Sequence, residues 1–91
     1  MSLNKQELPK WFITSGGICY KNGDVVCNKL SGESIELTNM ELSMYDFIKG
    51  CEIFCYGTTT KKELIHVASK FNKALNWFRK NNPAAYMVLL D

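Results

Sequence analysis

Residues 60–81, TKKELIHVASKFNKALNWFRKN, decide how the rest of the chain must fold. At about 100° per residue, Leu64, Val67, Ala68, Phe71, Ala74, Leu75 and Phe78 fall in one arc a little wider than a third of a circle, which predicts an amphipathic helix. The opposite pole carries Lys62, His66, Ser69, Lys73, Asn76 and Lys80, with Lys70 and Trp77 on its flank. One face therefore requires cover, with Phe71 expected at the centre of the contact. The other face is basic and holds one large aromatic. Thr60 and Glu63 have the spacing of a capping box, which sets the start. Pro83 disfavours helical geometry at the residue before it, which sets the end.

The cover has to come from a short chain. Ninety-one residues make one domain at most, and a domain of that size buries only about 60–65% of its unfolded surface, so self-association is an expected source of stability. An apolar fraction of 46% and a charged fraction of 22% argue for an ordinary soluble globular domain over a disordered tail or a membrane protein. The formal net charge of +2 conceals a polarity. Residues 1–60 hold five Lys against seven Asp/Glu, or −2, and residues 61–91 hold six Lys/Arg against two acids, or +4. No apolar run approaches the roughly 18 residues of a membrane span. The start, MSLNKQELPKWF, lacks the apolar core of a signal peptide, so the expected location is the cytoplasm. The four cysteines are accordingly expected as reduced thiols, without disulfides.

Ahead of the helix, residues 1–10 are polar and expected to be loose, and Trp11-Phe12-Ile13 is expected to form an edge strand. Ile18-Cys19-Tyr20 and Val25-Val26-Cys27 flank Asn22-Gly23, the strongest short signal for a hairpin. Ser31-Gly32-Glu33-Ser34 reads as a second turn and Ile35-Glu36-Leu37 as a short strand. Thr38 and Glu41 repeat the capping-box spacing and open a second helix running to about Cys55, with Gly57 as its stop. In that helix Met40, Met44, Phe47, Ile48, Cys51, Phe54 and Cys55 make one arc, expected to dock on the Leu64–Phe78 face. Leu42, Tyr45, Ile53 and Tyr56, interleaved with Asp46, Lys49 and Glu52, make a second apolar strip nearly opposite. Either the hairpin covers this strip or a second copy does. We expect a homodimer through Leu42, Tyr45, Lys49, Ile53 and Tyr56. Asn82 and Pro83 then have the roles of cap and first residue of a short apolar C-terminal helix.

Two resemblances attach to these residues. The segment from Ser31 to Ile48, SGESIELTNMELSMYDFI, resembles the entry to the winged-helix output domains of bacterial response regulators, where a strand ending in Leu-Thr runs into a Glu-containing helix. The chain departs from that family afterwards, since its next helix is too long and residues 83–91 hold no Gly-turned hairpin to serve as a wing. Glu36-Leu37-Thr38, Met44-Tyr-Asp-Phe-Ile-Lys-Gly50 and Asn76-Trp-Phe-Arg-Lys-Asn-Asn-Pro-Ala-Ala-Tyr-Met-Val-Leu-Leu-Asp91 are similar to a group of small, uncharacterised proteins of marine tailed bacteriophages. That resemblance spans most of residues 36–91 and implies a viral origin without implying any chemistry.

The residues themselves offer little catalysis. Cys51 and Cys55, at i and i+4, share a helix face, but no Cys-x-x-Cys knuckle accompanies them, and Cys19 and Cys27 would point to opposite faces of an Asn22-Gly23 hairpin. Their position inside the apolar arc makes them small buried hydrophobes, with no metal. His66 is the single histidine and points away from the cysteine helix, so a Cys-His nucleophile pair is not expected. Gly16-Gly17 is not followed by Lys-Ser/Thr at phosphate-loop spacing. The candidate anion or nucleic-acid face is Lys62, Lys70, Lys73, Trp77, Arg79 and Lys80. Against it, Trp77 has a ready place against the Trp11-Phe12 segment, and a pI near 8.4 is modest for a nucleic-acid binder. The reading is an α+β domain: an N-terminal β-hairpin or three-stranded antiparallel meander, two packed helices and a short C-terminal helix. The expected function is non-enzymatic binding of a partner protein without a cofactor, with nucleic-acid binding through helix 60–81 as the alternative.

Overall fold

The computed structural model describes residues 6–57 and 60–90, apart from the side chains of Cys55 and Tyr56. The elements run α1 (Lys10–Thr14), β1 (Asp24–Cys27), β2 (Ser34–Leu37), α2 (Asn39–Gly57), α3 (Lys61–Asn81) and α4 (Pro83–Leu89). This is an α+β fold with one two-stranded antiparallel sheet, in which Asp24 pairs with Leu37 and Cys27 with Ser34.

The three long-range helix boundaries follow from their caps. Thr38 Oγ1 accepts from Glu41 N at 3.2 Å while Glu41 Oε1 accepts from Thr38 N at 2.9 Å, a reciprocal capping box. Thr60 Oγ1 accepts from Glu63 N at 3.3 Å to open α3. Asn82 Oδ1 accepts from Ala85 N at 3.1 Å to open α4, with Pro83 in its first turn.

The hairpin forms elsewhere than the Asn22-Gly23 signal predicts. Its turn is Asn28–Glu33: Asn28 Oδ1 accepts from Leu30 N at 2.9 Å, Asn28 N donates to Glu33 O at 2.7 Å, and Gly32 takes a left-handed φ of 80°. Residues 18–20 are not a strand. The backbone of Tyr20 is satisfied instead by α2, its N–H donating to Ser43 Oγ at 2.9 Å and its carbonyl accepting from Asn39 Nδ2 at 3.3 Å. Gly23 is needed for close passage, because a Cβ there would collide with the carbonyl oxygen of Leu37.

Trp11-Phe12-Ile13 is also corrected, from edge strand to the single helical turn α1. The Pro9 carbonyl accepts from Phe12 N at 3.1 Å and from Ile13 N at 3.4 Å, and the Ser15 hydroxyl donates to Trp11 O at 2.6 Å. Coiling sends Phe12 inward, where it is fully buried 5.3 Å from the Phe47 ring, and lays Trp11 5.9 Å from the same ring. Gln6 and Glu7, just ahead of it, are tied to the rest of the fold. Gln6 Nε2 donates to Glu41 Oε2 at 2.6 Å, and the Glu7 carbonyl accepts from Trp77 Nε1 at 2.9 Å.

The core gathers Phe12, Leu37, Met44, Ile48, Ala74, Phe78, Ala85 and Leu89. Its centre on α3 is Ala74 and Phe78, one to two turns beyond Phe71, which is half-buried. Apart from Phe12 of α1, these residues come from the first half of α2, the last half of α3, α4 and β2. Among the described residues, none beyond Cys51 on α2 or before Ala74 on α3 is buried. The molecule is accordingly elongated, 45 × 31 × 21 Å.

Candidate interaction surface

The far end of the α2–α3 pair leaves apolar side chains in water. Ile53 is 72% exposed, Ile65 63% and Phe54 45%. Leu64 and Ala68, expected in the core arc, are open as well. Single exposed apolar residues need no explanation, whereas neighbouring ones on the tip of two helices mark an interaction surface.

Two clefts give this surface a shape. One, of about 560 Å³, is bounded by Phe54 on α2 and by Lys62, Glu63, Ile65, His66 and Val67 on α3. The next, of about 330 Å³, continues toward α1 between Asp46, Phe47, Gly50, Cys51 and Phe54 on α2, Val67 and Lys70 on α3, and the loop Ser15–Ile18. Phe54 and Val67 line both, so the clefts form one groove along the helix pair. On α3 its wall is Glu63, Val67 and Lys70 at i, i+4 and i+7, the spacing of one helix flank.

The expected dimer strip does not survive as one face. Leu42 and Tyr45 are half-buried against the core, with the Tyr45 ring 6.4 Å from that of Phe78 and Lys49 Nζ 5.6 Å above the Tyr45 ring. Lys49 also pairs with Glu52 at 3.2 Å. Tyr45, Lys49 and Glu52 line a separate cleft of about 550 Å³ with Cys27–Leu30, Leu89 and Leu90. The C-terminal helix and the hairpin turn thus reach the near half of the strip. Ile53 belongs to the open tip, and the side chain of Tyr56 lies outside the described residues.

The basic face is divided too. Lys62 and Lys70 flank the groove, and Lys73 and Lys80 stand in solvent. Trp77 is occupied by its bond to the Glu7 carbonyl, and its own carbonyl accepts from Asn81 Nδ2 at 2.9 Å. The Arg79 guanidinium donates to Asn76 Oδ1 at 2.7 Å and lies 5.6 Å over the Tyr86 ring. The two groups best suited to base stacking and bidentate phosphate contact are therefore engaged within the fold.

Cys51 is buried, while Cys19 and Cys27 are exposed, and Cys55 lies outside the described side chains. His66 is exposed, and the cleft lined by Cys51 does not include it. Among the described residues no three His, Cys, Asp or Glu side chains are grouped to hold a metal ion, and no helix is long and apolar enough to cross a membrane. Comparison with known families, curated proteins and solved structures finds no match for this chain.

Two features of the groove escape a helical-wheel reading. Phe54 belongs to the apolar arc of α2 and looks like core until the core is seen to end at Cys51. Gly50 looks like a weak point in a helix. A usable signal was present at Ile65, a large apolar residue that stands about 120° from the centre of the α3 arc at 100° per residue and is exposed in the structure.

Proposed function

We propose that this chain is a non-enzymatic protein-interaction module, a small phage accessory protein that acts in the cytoplasm by binding a partner protein. The observation that supports this reading is the apolar groove at the far end of α2 and α3, with Phe54 at its middle and Ile53 and Ile65 open beside it. A 91-residue chain has few apolar side chains to spare from its own core, so leaving these in water lowers the stability of the isolated fold. Binding a partner recovers that burial. The phage origin rests on the resemblance of residues 36–91 described above.

Affinity capture from a lysate of the natural host tests this, comparing the wild-type chain with Phe54→Glu and Ile65→Glu. Both substitutions fall on exposed positions, so the circular-dichroism spectrum should be unchanged. Proteins retained by the wild type should be lost with either variant. Equal capture by all three would move the binding surface elsewhere.

A further inference from the structure

The Asn22-Gly23 pair, which does not form the hairpin turn, carries chemistry of its own. Both residues are exposed in the connection between α1 and β1. Among the described residues, neither the Asn22 side chain nor the Gly23 N–H has a hydrogen-bond partner. The amide nitrogen of the residue after an asparagine can attack the side-chain carbonyl carbon and close a cyclic imide. Glycine leaves that nitrogen least shielded, because it has no Cβ. Gly23 cannot be exchanged for a bulkier residue without cost, since a Cβ there would collide with the Leu37 carbonyl oxygen. Packing against β2 thus keeps the least hindered nucleophile beside Asn22.

No other described asparagine combines these conditions, and none is followed by glycine. Asn28 is held at both ends of its amide, Oδ1 accepting from Leu30 N and Nδ2 donating to Val88 O. Asn39 Nδ2 donates to the Tyr20 carbonyl at the start of α2. The N–H groups that follow Asn72, Asn76 and Asn81 are taken by the α3 ladder and its cap. Asn82 precedes Pro83, which has no N–H to react.

We propose that Asn22 is a site of spontaneous covalent modification, in which the Gly23 nitrogen converts it through a cyclic imide into isoaspartate and aspartate. In the first step the Gly23 N–Asn22 Cγ bond forms and the Asn22 Cγ–Nδ2 bond breaks. The side-chain nitrogen leaves as ammonia, taking the proton of the Gly23 N–H. In the second step water adds to one of the two imide carbonyls. Opening of the Cγ–N bond gives aspartate, and opening of the bond from the main-chain carbonyl carbon to nitrogen gives isoaspartate, in which the chain runs through Cγ. One amide and one water become one carboxylic acid and one ammonia, with no oxidant or reductant. The product loses one charge from the net +2 of the chain. Isoaspartate also lengthens the main chain by a methylene directly before the tight passage of Gly23. The lengthened segment is pinned on both sides, at Tyr20 by Ser43 and Asn39 and at Asp24 by pairing with Leu37.

The test is to keep the full chain in warm, mildly alkaline buffer, sample it over days, and follow tryptic peptides by mass spectrometry. Cleavage after Lys21 and Lys29 releases residues 22–29, a peptide that contains Asn28 as an internal control. Asn22 should turn from amide to acid about tenfold or more faster than Asn28, because only Asn22 precedes a residue without a Cβ, and the peptide should split into two separable isomers. Methyl transfer from S-adenosylmethionine by an isoaspartate methyltransferase should label the aged wild type and not Asn22→Gln. The modified pool, separated from unreacted chain by ion exchange, should melt below the fresh chain. Asn22→Asp, which adds the charge without the methylene, should melt with the fresh chain. An Asn22 that keeps its amide, or loses it no faster than Asn28, overturns the proposal. So does a native chain that reacts far more slowly than the chain in denaturant, because the fold would then hold Asn22 out of line with the Gly23 nitrogen.

Discussion

Glu41 sits in the first turn of α2, only 3% exposed, and three donors converge on its carboxylate. They are Thr38 N from the capping box, Gln6 Nε2 from the N-terminal segment and Asn82 Nδ2 from the junction of α3 and α4. One side chain thus ties together pieces of chain 35 and 41 residues away in sequence. Glu41→Ala leaves those donors without an acceptor in a nearly dry site, and should cost about 2–4 kcal/mol. Urea denaturation followed by circular dichroism checks it, and an unchanged midpoint would mean that water replaces the carboxylate. At the same scale, Phe78→Ala should cost about 3–5 kcal/mol, the range for emptying a buried aromatic site. Phe71→Ala should cost about half as much, because Phe71 retains contact with solvent. The reverse order of melting temperatures would return the centre of the helix contact to Phe71. The sequence signal for Glu41 was its spacing from Thr38, which revealed the cap. Its two distant donors, an amide side chain in a polar segment and another beside a proline, carry no periodic signal.

At the scale of elements, each helix whose ends are written in side chains was legible: Thr38, Thr60 and Asn82 cap where their spacing says they should. The sheet was legible only in part, because two turn signals competed for β1. Asn22-Gly23 is the stronger local signal, but Asn28 makes more bonds, closing its own turn and donating through Nδ2 to the Val88 carbonyl of α4 at 2.8 Å. Tertiary attachment decided the register. The basic face of α3 illustrates the same limit, since the wheel gives the direction of Trp77 but not the Glu7 carbonyl waiting for it. Binding of oligonucleotides by α3 should therefore be weak and non-specific, resting on Lys62, Lys73 and Lys80. Fluorescence anisotropy with duplex and single-stranded DNA should show affinity falling steeply between low and physiological salt, as released counterions demand. Sub-micromolar binding that depends on sequence and persists at physiological salt would make nucleic acid the partner.

Considered whole, the chain builds its core at one end and leaves the other end of its longest helices to be covered. The apolar arc of α3 continues past the core, through Val67 to Leu64, and the arc of α2 continues through Phe54. That continuation was visible in the sequence as helix amphipathicity. It could not be told apart from core, because periodicity reports which face is apolar and not what lies against it. The measurement that addresses this most directly is amide hydrogen exchange of the chain alone and in complex with the protein it captures from the host lysate. Binding should slow exchange in residues 47–54 and 62–70 and leave the β1–β2 hairpin and residues 83–90 unchanged. Protection appearing instead at residues 27–30 and 86–90, around the cleft of Tyr45 and Lys49, or no change on binding, would contradict a binding role for the groove.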